Sequence, residues 1–408
     1  MNSFFDLIPA SLVVAVALVA AAIPWVWSLD SRPFKQWINN TTVLGYLLGA
    51  VGAITIGLAY WMNSVVEVKL VEDRGYVFAS ILHFELILDL FVALRYLPVA
   101  ISPKGGAVAV AAMREAIRQP MYWLIMIGSA LLILLFMYVP YFTLGDDYTL
   151  YKLVAFDVIL LFPGLFGLLV ASITINEEIE GRTAITVISK PISRRQFFIG
   201  KYIGLLMACL TMALVLTWVL TYALNYKLTA EPLDESSDLL MQKMSDQVSP
   251  HVAQALPDVK GNSLGKGMGV WMGETFAHHM GTIRLFGQVM VLLAICTTLA
   301  TRMHFVINLV ICLGIYLMGN LAPIILHATR TQENDGTGMQ LINFIARLFD
   351  AVFPSLNSFG MGPAIVRDSP LEPMQFLVFV ATVLFYGVLY SGIALLLGLF
   401  LFEDRDLS

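Results

Sequence analysis

The sequence predicts an all-α polytopic membrane protein with about nine transmembrane helices. Three observations predict it. Hydrophobic residues make up 58% of the 408 and charged residues only 13%, about half the charged share of a soluble domain. The mean hydropathy is +0.79, and a water-soluble globule of this size has too little interior to hide so much apolar side chain. The apolar residues also fall into runs of about 20, the length at which a helix crosses the hydrocarbon of a bilayer. The net charge of −5 gives no general basic surface for nucleic acid. Soluble enzymes, nucleic-acid binders and disordered chains are therefore excluded as readings of the whole chain.

In chain order the predicted spans are Pro9–Leu29, Val43–Met62, Tyr76–Ile101, Met121–Phe142, Leu153–Ile175, Phe198–Tyr222, Ile283–Ala300, Phe305–Leu326 and Phe376–Phe402. The first has no Lys or Arg before it, carries Asp6, and is too long for a signal-peptide core; it reads as a retained span. The third is the weakest, because it contains His83, Glu85, Asp89 and Arg95. Aromatic residues gather at span ends (Trp25, Trp27, Tyr60, Trp61, Tyr122, Trp123, Tyr222 and Tyr226 among them) and form an interfacial belt. Gly45 and Gly49, followed by Gly52, make a GxxxG that suggests close helix packing in the second span.

Short basic loops set the orientation. Arg32 and Lys35, then Lys104, Arg114 and Arg118, then Arg182, Lys190, Arg194 and Arg195 all fall on one side when nine spans are counted. The N-terminus is expected outside and the C-terminus in the cytoplasm of a plasma or inner membrane, in a prokaryotic setting. Residues 225–281 then form an extracytoplasmic subdomain with one or two helices, for instance Ser236–Val248, and a flexible Gly-rich stretch at Gly261–Gly269. Residues 327–373 carry Leu341, Ile342, Ile345, Leu348, Phe349, Val352 and Phe353, which suit a helix lying flat at the outer leaflet. A second flat helix, an amphipathic elbow, fits Gly106–Gln119, with Pro120 opening the next span, where its missing N–H is not needed.

The most informative stretch runs from Asn176 to Lys201. Glu177, Glu178 and Glu180 open it, as suits a helix N-terminus. Ile179, Ala184, Ile185 and Ile188 supply an apolar face, and Lys190 stands before Pro191. Ser193 with Gln196 reads as a capping box that restarts the chain into the membrane.

Glu178-x-Glu180-Gly-Arg-Thr, then Ser189-Lys-Pro-Ile-Ser-Arg194, then Phe197-x-x-Gly200-Lys201, resembles the intracellular loop of ABC-2 type ABC-transporter permeases. Arg114 to Pro120 resembles that family's elbow, Phe353 to Phe359 its segment before the last helix, and Phe402 to Leu407 its common ending. The resemblance covers roughly residues 105–408. It implies a division into an N-terminal three-span extension, 1–103, and a six-helix permease core, 104–408. It also implies that Glu178–Ser189 includes a coupling helix docking on a separate cytoplasmic ABC ATPase. The docking residues would be Glu178, Glu180, Gly181, Arg182, Thr183, Ile185, Ile188, Ser189, Lys190, Pro191 and Arg194. A second permease subunit and membrane lipid would be further partners, and export the direction.

No catalytic, cofactor or metal site is expected in the chain itself; ATP and Mg belong to the partner ATPase. Gly261 to Gly267 lacks the glycine spacing and the Ser or Thr of a phosphate-binding loop. Cys209, Cys296 and Cys312 lie inside apolar runs and suggest neither disulfides nor a metal. His278 and His279 are adjacent, so on a helix they point about 100° apart and are poorly placed for one metal. Two rival functions stand beside the transporter: an ion-coupled secondary transporter using Glu85 and Asp89, which share a helix face, and a membrane scaffold that moves no solute.

Overall fold

The computed structural model describes residues 4–30, 32–139, 147–180, 192–230, 246, 248–256, 258–330, 340–342, 344–345, 347–348, 354–360 and 373–403. Among these the protein is helical, with no strand. The helices are α1 (Ile8–Ser28), α2 (Phe34–Ile38), α3 (Thr41–Ser64), α4 (Val68–Ile101), α5 (Pro103–Arg118), α6 (Pro120–Phe136), α7 (Asp147–Glu180), α8 (Arg194–Ala230), α9 (Val259–Ala300), α10 (Phe305–Arg330) and α11 (Pro373–Glu403). Each predicted span falls on one of them. Among the described residues seven helices are long and apolar enough to cross a membrane, against the nine spans expected. The bent pair of α5 and α6 makes an eighth if it counts as one span, and Phe305–Leu321 in α10 is a shorter apolar helix.

Local chemistry accounts for where several helices start. The Asn40 side chain accepts a hydrogen bond from the Thr42 N–H at 2.9 Å and caps α3. Prolines occupy the first positions of α5 and α6, where a backbone N–H has no helical partner in any case. The 65° bend between those two helices falls at this proline break. The predicted elbow thus exists, beginning three residues earlier than expected.

The chain divides into two compact units. The first comprises Met1–Tyr96, Ile133–Lys152 and Leu214–His279. Its apolar core joins Leu7, Val14, Leu58, Met62, Val71 and Leu264. Lys260 Nζ donates to the carbonyls of Met62 and Val65, each at 2.7 Å, and so satisfies the C-terminal end of α3. Lys266 pairs with Glu72 at 3.4 Å. A Cβ on Gly75 would lie 2.5 Å from the Leu264 carbonyl oxygen, and one on Gly267 would strike the Glu72 carbonyl oxygen.

That contact corrects two expectations. The stretch Gly261–Gly269 is part of the 42-residue helix α9, not a flexible loop. Gly267 removes a side chain where the α9 backbone meets α4, while a Cβ on Gly261 would meet Ala10, one on Gly265 Val252 and one on Gly269 Val248; this packing outweighs glycine's weak helix preference of about 1 kcal/mol. Conversely, a Cβ on Gly45, Gly49 or Gly52 would meet nothing within 4 Å among the described residues, so the GxxxG of α3 makes no close contact there. Of the predicted helix Ser236–Val248, only 246 and 248 are described; both are helical, as is 248–255.

The second unit comprises Leu97–Leu132, Leu153–Ala213 and Met280–Ser408. Asn308 Nδ2 donates to Ser172 Oγ at 2.9 Å and to the Cys296 carbonyl at 3.2 Å. The three cysteines are buried and free. In the segment resembling the approach to the last helix, Leu356–Phe359 forms one 3-10 turn. Its Leu356 and Phe359 are fully buried and sit where Gly319, Gly287 and Gly387 leave room. Arg284 donates to the Ser358 carbonyl at 3.1 Å and lies 4.4 Å from the Phe379 ring centroid. Of the predicted flat helix in 327–373, Leu341, Ile342, Ile345 and Leu348 are helical and exposed; Phe349, Val352 and Phe353 lie outside the described residues.

Candidate functional site

The loop read as the coupling segment is approached by α7 and left by α8. Helix α7 runs through Glu177 and Glu178 to Glu180, the last residue described before the loop, so these acids prolong a helix rather than open one. The expected N-terminal stabilisation is therefore corrected. Gly181, Arg182, Thr183, Ile185, Ile188, Ser189, Lys190 and Pro191 lie outside the described residues.

At the far side of the loop the capping box forms as read. Ser193 Oγ accepts from the Gln196 N–H at 3.2 Å, and Gln196 Oε1 accepts from the Ser193 N–H at 3.1 Å. Two backbone donors at the head of α8 are thereby satisfied. Arg194 opens the helix, with its guanidinium Nη1 3.5 Å from the Phe402 carbonyl oxygen.

The elbow is clasped directly onto this head. Val108, Ala109, Ala112, Met113 and Ala116 form the buried face of α5. A Cβ on Gly204 would strike the Ala109 carbonyl oxygen and lie 2.6 Å from Ala112 Cβ; one on Gly200 would lie 2.8 Å from the Gly105 carbonyl oxygen. Two glycines one turn apart on α8 thus let the elbow backbone settle against it. Lys201 Nζ donates to Glu115 Oε2 at 3.1 Å, with the lysine side chain 8% exposed and the carboxylate 52%. Val108 also joins Ile175, Phe197, Phe198, Ala300 and Phe402 in one apolar cluster. The end of α7, the head of α8, the elbow and the end of α11 therefore meet around the two ends of the loop. Gly200 and Lys201 were in the motif read from the sequence. Glu115 and Gly204 were not singled out as site residues, and only their contacts across the fold reveal them.

The first unit holds the other residues of interest. His83 is 2% exposed. Its Nδ1 is 3.3 Å from Thr275 Oγ1, and its Nε2 is 3.4 Å from His279 Nε2. His279 Nδ1–H donates to the Thr275 carbonyl at 2.9 Å. One set of tautomers satisfies the ring: the Thr275 hydroxyl donates to His83 Nδ1, and His83 Nε2–H donates to His279 Nε2. His278 faces elsewhere, with Nδ1 2.9 Å from Thr221 Oγ1. The two adjacent histidines thus serve different partners. Among the described residues no group of three or more metal-ligating side chains occurs. Glu85 Oε2 and Asp89 Oδ1 are buried without a hydrogen-bond partner among the described residues. Glu274 is 3% exposed and accepts from Asn225 Nδ2 at 2.6 Å.

Comparison with known proteins adds one finding. Residues 117–246, about a third of the chain, match the family described as ABC-2 family transporter protein. The match takes in the end of the elbow, α6, α7, the loop and α8. No curated protein and no solved structure matches the chain significantly.

Proposed function

We infer that this chain, a membrane permease of the ABC-2 transporter family, passes ATP-driven motion from a separate cytoplasmic ATPase to its membrane helices and exports its substrate. It works as one of two permease subunits beside two ATPase subunits. Mg and ATP are held and hydrolysed in the partner; this chain supplies the pathway and the transmission element. The observation that carries the reading is the clasp around the 176–197 loop. A force applied to the loop reaches α8 at its capped start, and α8 is fixed to the elbow through Gly200, Gly204 and the Lys201–Glu115 pair. Closely packed helices transmit such a displacement as a body, because interiors have little free volume.

The test is purification of the tagged chain in mild detergent from its native membrane. An ATPase with a phosphate-binding loop is expected to co-purify, and its turnover in vesicles to drive substrate outward. Substrate movement driven by an ion gradient, with no ATPase attached, contradicts the reading. The unpartnered buried oxygens of Glu85 and Asp89 favour that second reading, ion-coupled transport, and neutralising both acids separates the two.

A further inference from the structure

A cavity of about 300 Å³ opens in the first unit between the start of α4, the end of α8 and the first third of α9. Its walls include Tyr76, Tyr222, Tyr226 and Trp271, and its lining also includes the consecutive residues Asp73 and Arg74. Two of the polar groups among its deeper residues are engaged inside the protein, whereas Trp271 Nε1 has no hydrogen-bond partner among the described residues. The Ser80 carbonyl accepts from Trp218 Nε1 at 3.0 Å, and the Asn225 amide donates to Glu274. Lys266 and Glu72 pair with each other. Asp73 and Arg74 have no hydrogen-bond or ion-pair partner among the described residues.

The height of this cavity along its helices is informative. Helices α4, α8 and α9 have 34, 37 and 42 residues. At about 1.5 Å per residue each exceeds 50 Å, against about 30 Å of hydrocarbon. The lining residues come from the first third of α4 and the last third of α8, so they stand at headgroup level, at the end of α8 remote from Arg194. Leu70 and Val77, which also line the cavity, are exposed apolar side chains suited to acyl chains.

The geometry points to a binding site for a zwitterionic phospho-ammonium headgroup of the phosphoethanolamine or phosphocholine type. Aromatic faces and a carboxylate attract an organic ammonium, and here Tyr76, Tyr222, Tyr226, Trp271 and Asp73 provide both. Arg74 takes the phosphate through its planar fork of donors. A purely anionic headgroup leaves Asp73 and the aromatic wall unused, and a simple cation leaves Arg74 facing like charge. This goes beyond the transport reading and does not depend on it, since binding is measured on the chain without an ATPase.

The experiment is native mass spectrometry of the full-length chain in detergent, titrated separately with phosphatidylethanolamine, phosphatidylcholine and phosphatidylglycerol. A zwitterionic lipid is expected to bind at least about tenfold more tightly than phosphatidylglycerol. Asp73→Asn is expected to remove that preference, and Arg74→Gln to weaken all three lipids about tenfold. Both residues lie at the rim, so circular dichroism and thermal unfolding should match the parent. Soluble glycerophosphoethanolamine is the competing arm. Competition at similar concentration makes the ligand a water-soluble compound, and its failure makes it a bilayer lipid; either outcome keeps the headgroup chemistry. Equal binding of zwitterionic and anionic lipids, or unchanged binding by both variants, overturns the inference.

Discussion

Lys201 and Glu115 meet at 3.1 Å across 86 positions of sequence, a nearly buried ammonium at the head of α8 held by a half-exposed carboxylate on the elbow. The pairing is asymmetric. Removing the acid takes a counter-charge from an ammonium with little access to water, whereas removing the lysine releases an acid that solvent can reach. Glu115→Gln is therefore expected to destabilise the protein by about 1–2 kcal/mol, with half-exposure holding the figure below that of a fully buried pair. Lys201→Met is expected to cost less, and the double variant to recover part of the loss. Thermal unfolding in detergent across the four proteins checks this, and strictly additive losses would show that the two residues do not interact.

Gly204 tests the same clasp by packing. A methyl group there runs into the Ala109 backbone and Ala112 Cβ, neither of which is a flexible side-chain end. Gly204→Ala should lower stability by about 1–3 kcal/mol, and Gly204→Leu should lift the elbow. Hydrogen exchange is the readout: the α5 amides are expected to lose protection in Gly204→Leu, while protection in α1 and α3 stays at the parental level.

The cap at Ser193 is reciprocal, so its two halves should not add. Ser193→Ala is expected to cost about 0.5–2 kcal/mol, and Gln196→Ala somewhat less. The double variant should fall well short of the sum, because either loss breaks the box. Exchange rates of the first amides of α8 report the effect.

Some of this was legible in the sequence because it is local. The Ser193–Gln196 box spans four residues, and the turn from the elbow into α6 is marked by Pro120. Adjacency alone told that His278 and His279 face different ways. Apolar runs located a helix for each of the nine expected spans, of which seven or eight are long and apolar enough to cross a membrane, but not the helix ends. Helices α4, α7, α8 and α9 extend past the hydrocarbon on polar residues, which hydropathy cannot distinguish from loop. The Gly-rich start of α9 reads locally as a loop; it is helical because Gly267 packs on the backbone of α4, a partner about 190 positions away. For the same reason Gly45 and Gly49 suggest packing that the described residues do not make. The glutamates of 177–180 look like a helix start by composition, yet α7 simply continues through them.

The acids of α4 decide between energy sources. Glu85→Gln with Asp89→Asn is expected to leave ATP-dependent turnover within about twofold of the parent, since neither residue lies in the loop or the elbow clasp. In vesicles, turnover driven by ATP and turnover driven by an imposed ion gradient are measured side by side. Loss of transport together with loss of ion dependence would favour the secondary transporter.

The most direct measurement is ATPase association by the loop variants Ile185→Asp and Glu178→Lys in purified complexes. Truncating an apolar anchor at an interface costs about 1–3 kcal/mol, and burying an unpaired aspartate costs more. Ile185→Asp is expected to insert and express normally, yet lose at least tenfold in ATPase affinity or in substrate-stimulated turnover. Glu178→Lys should lose in the same direction. Normal association together with fully coupled turnover in both variants would contradict the assignment of the loop as the coupling element.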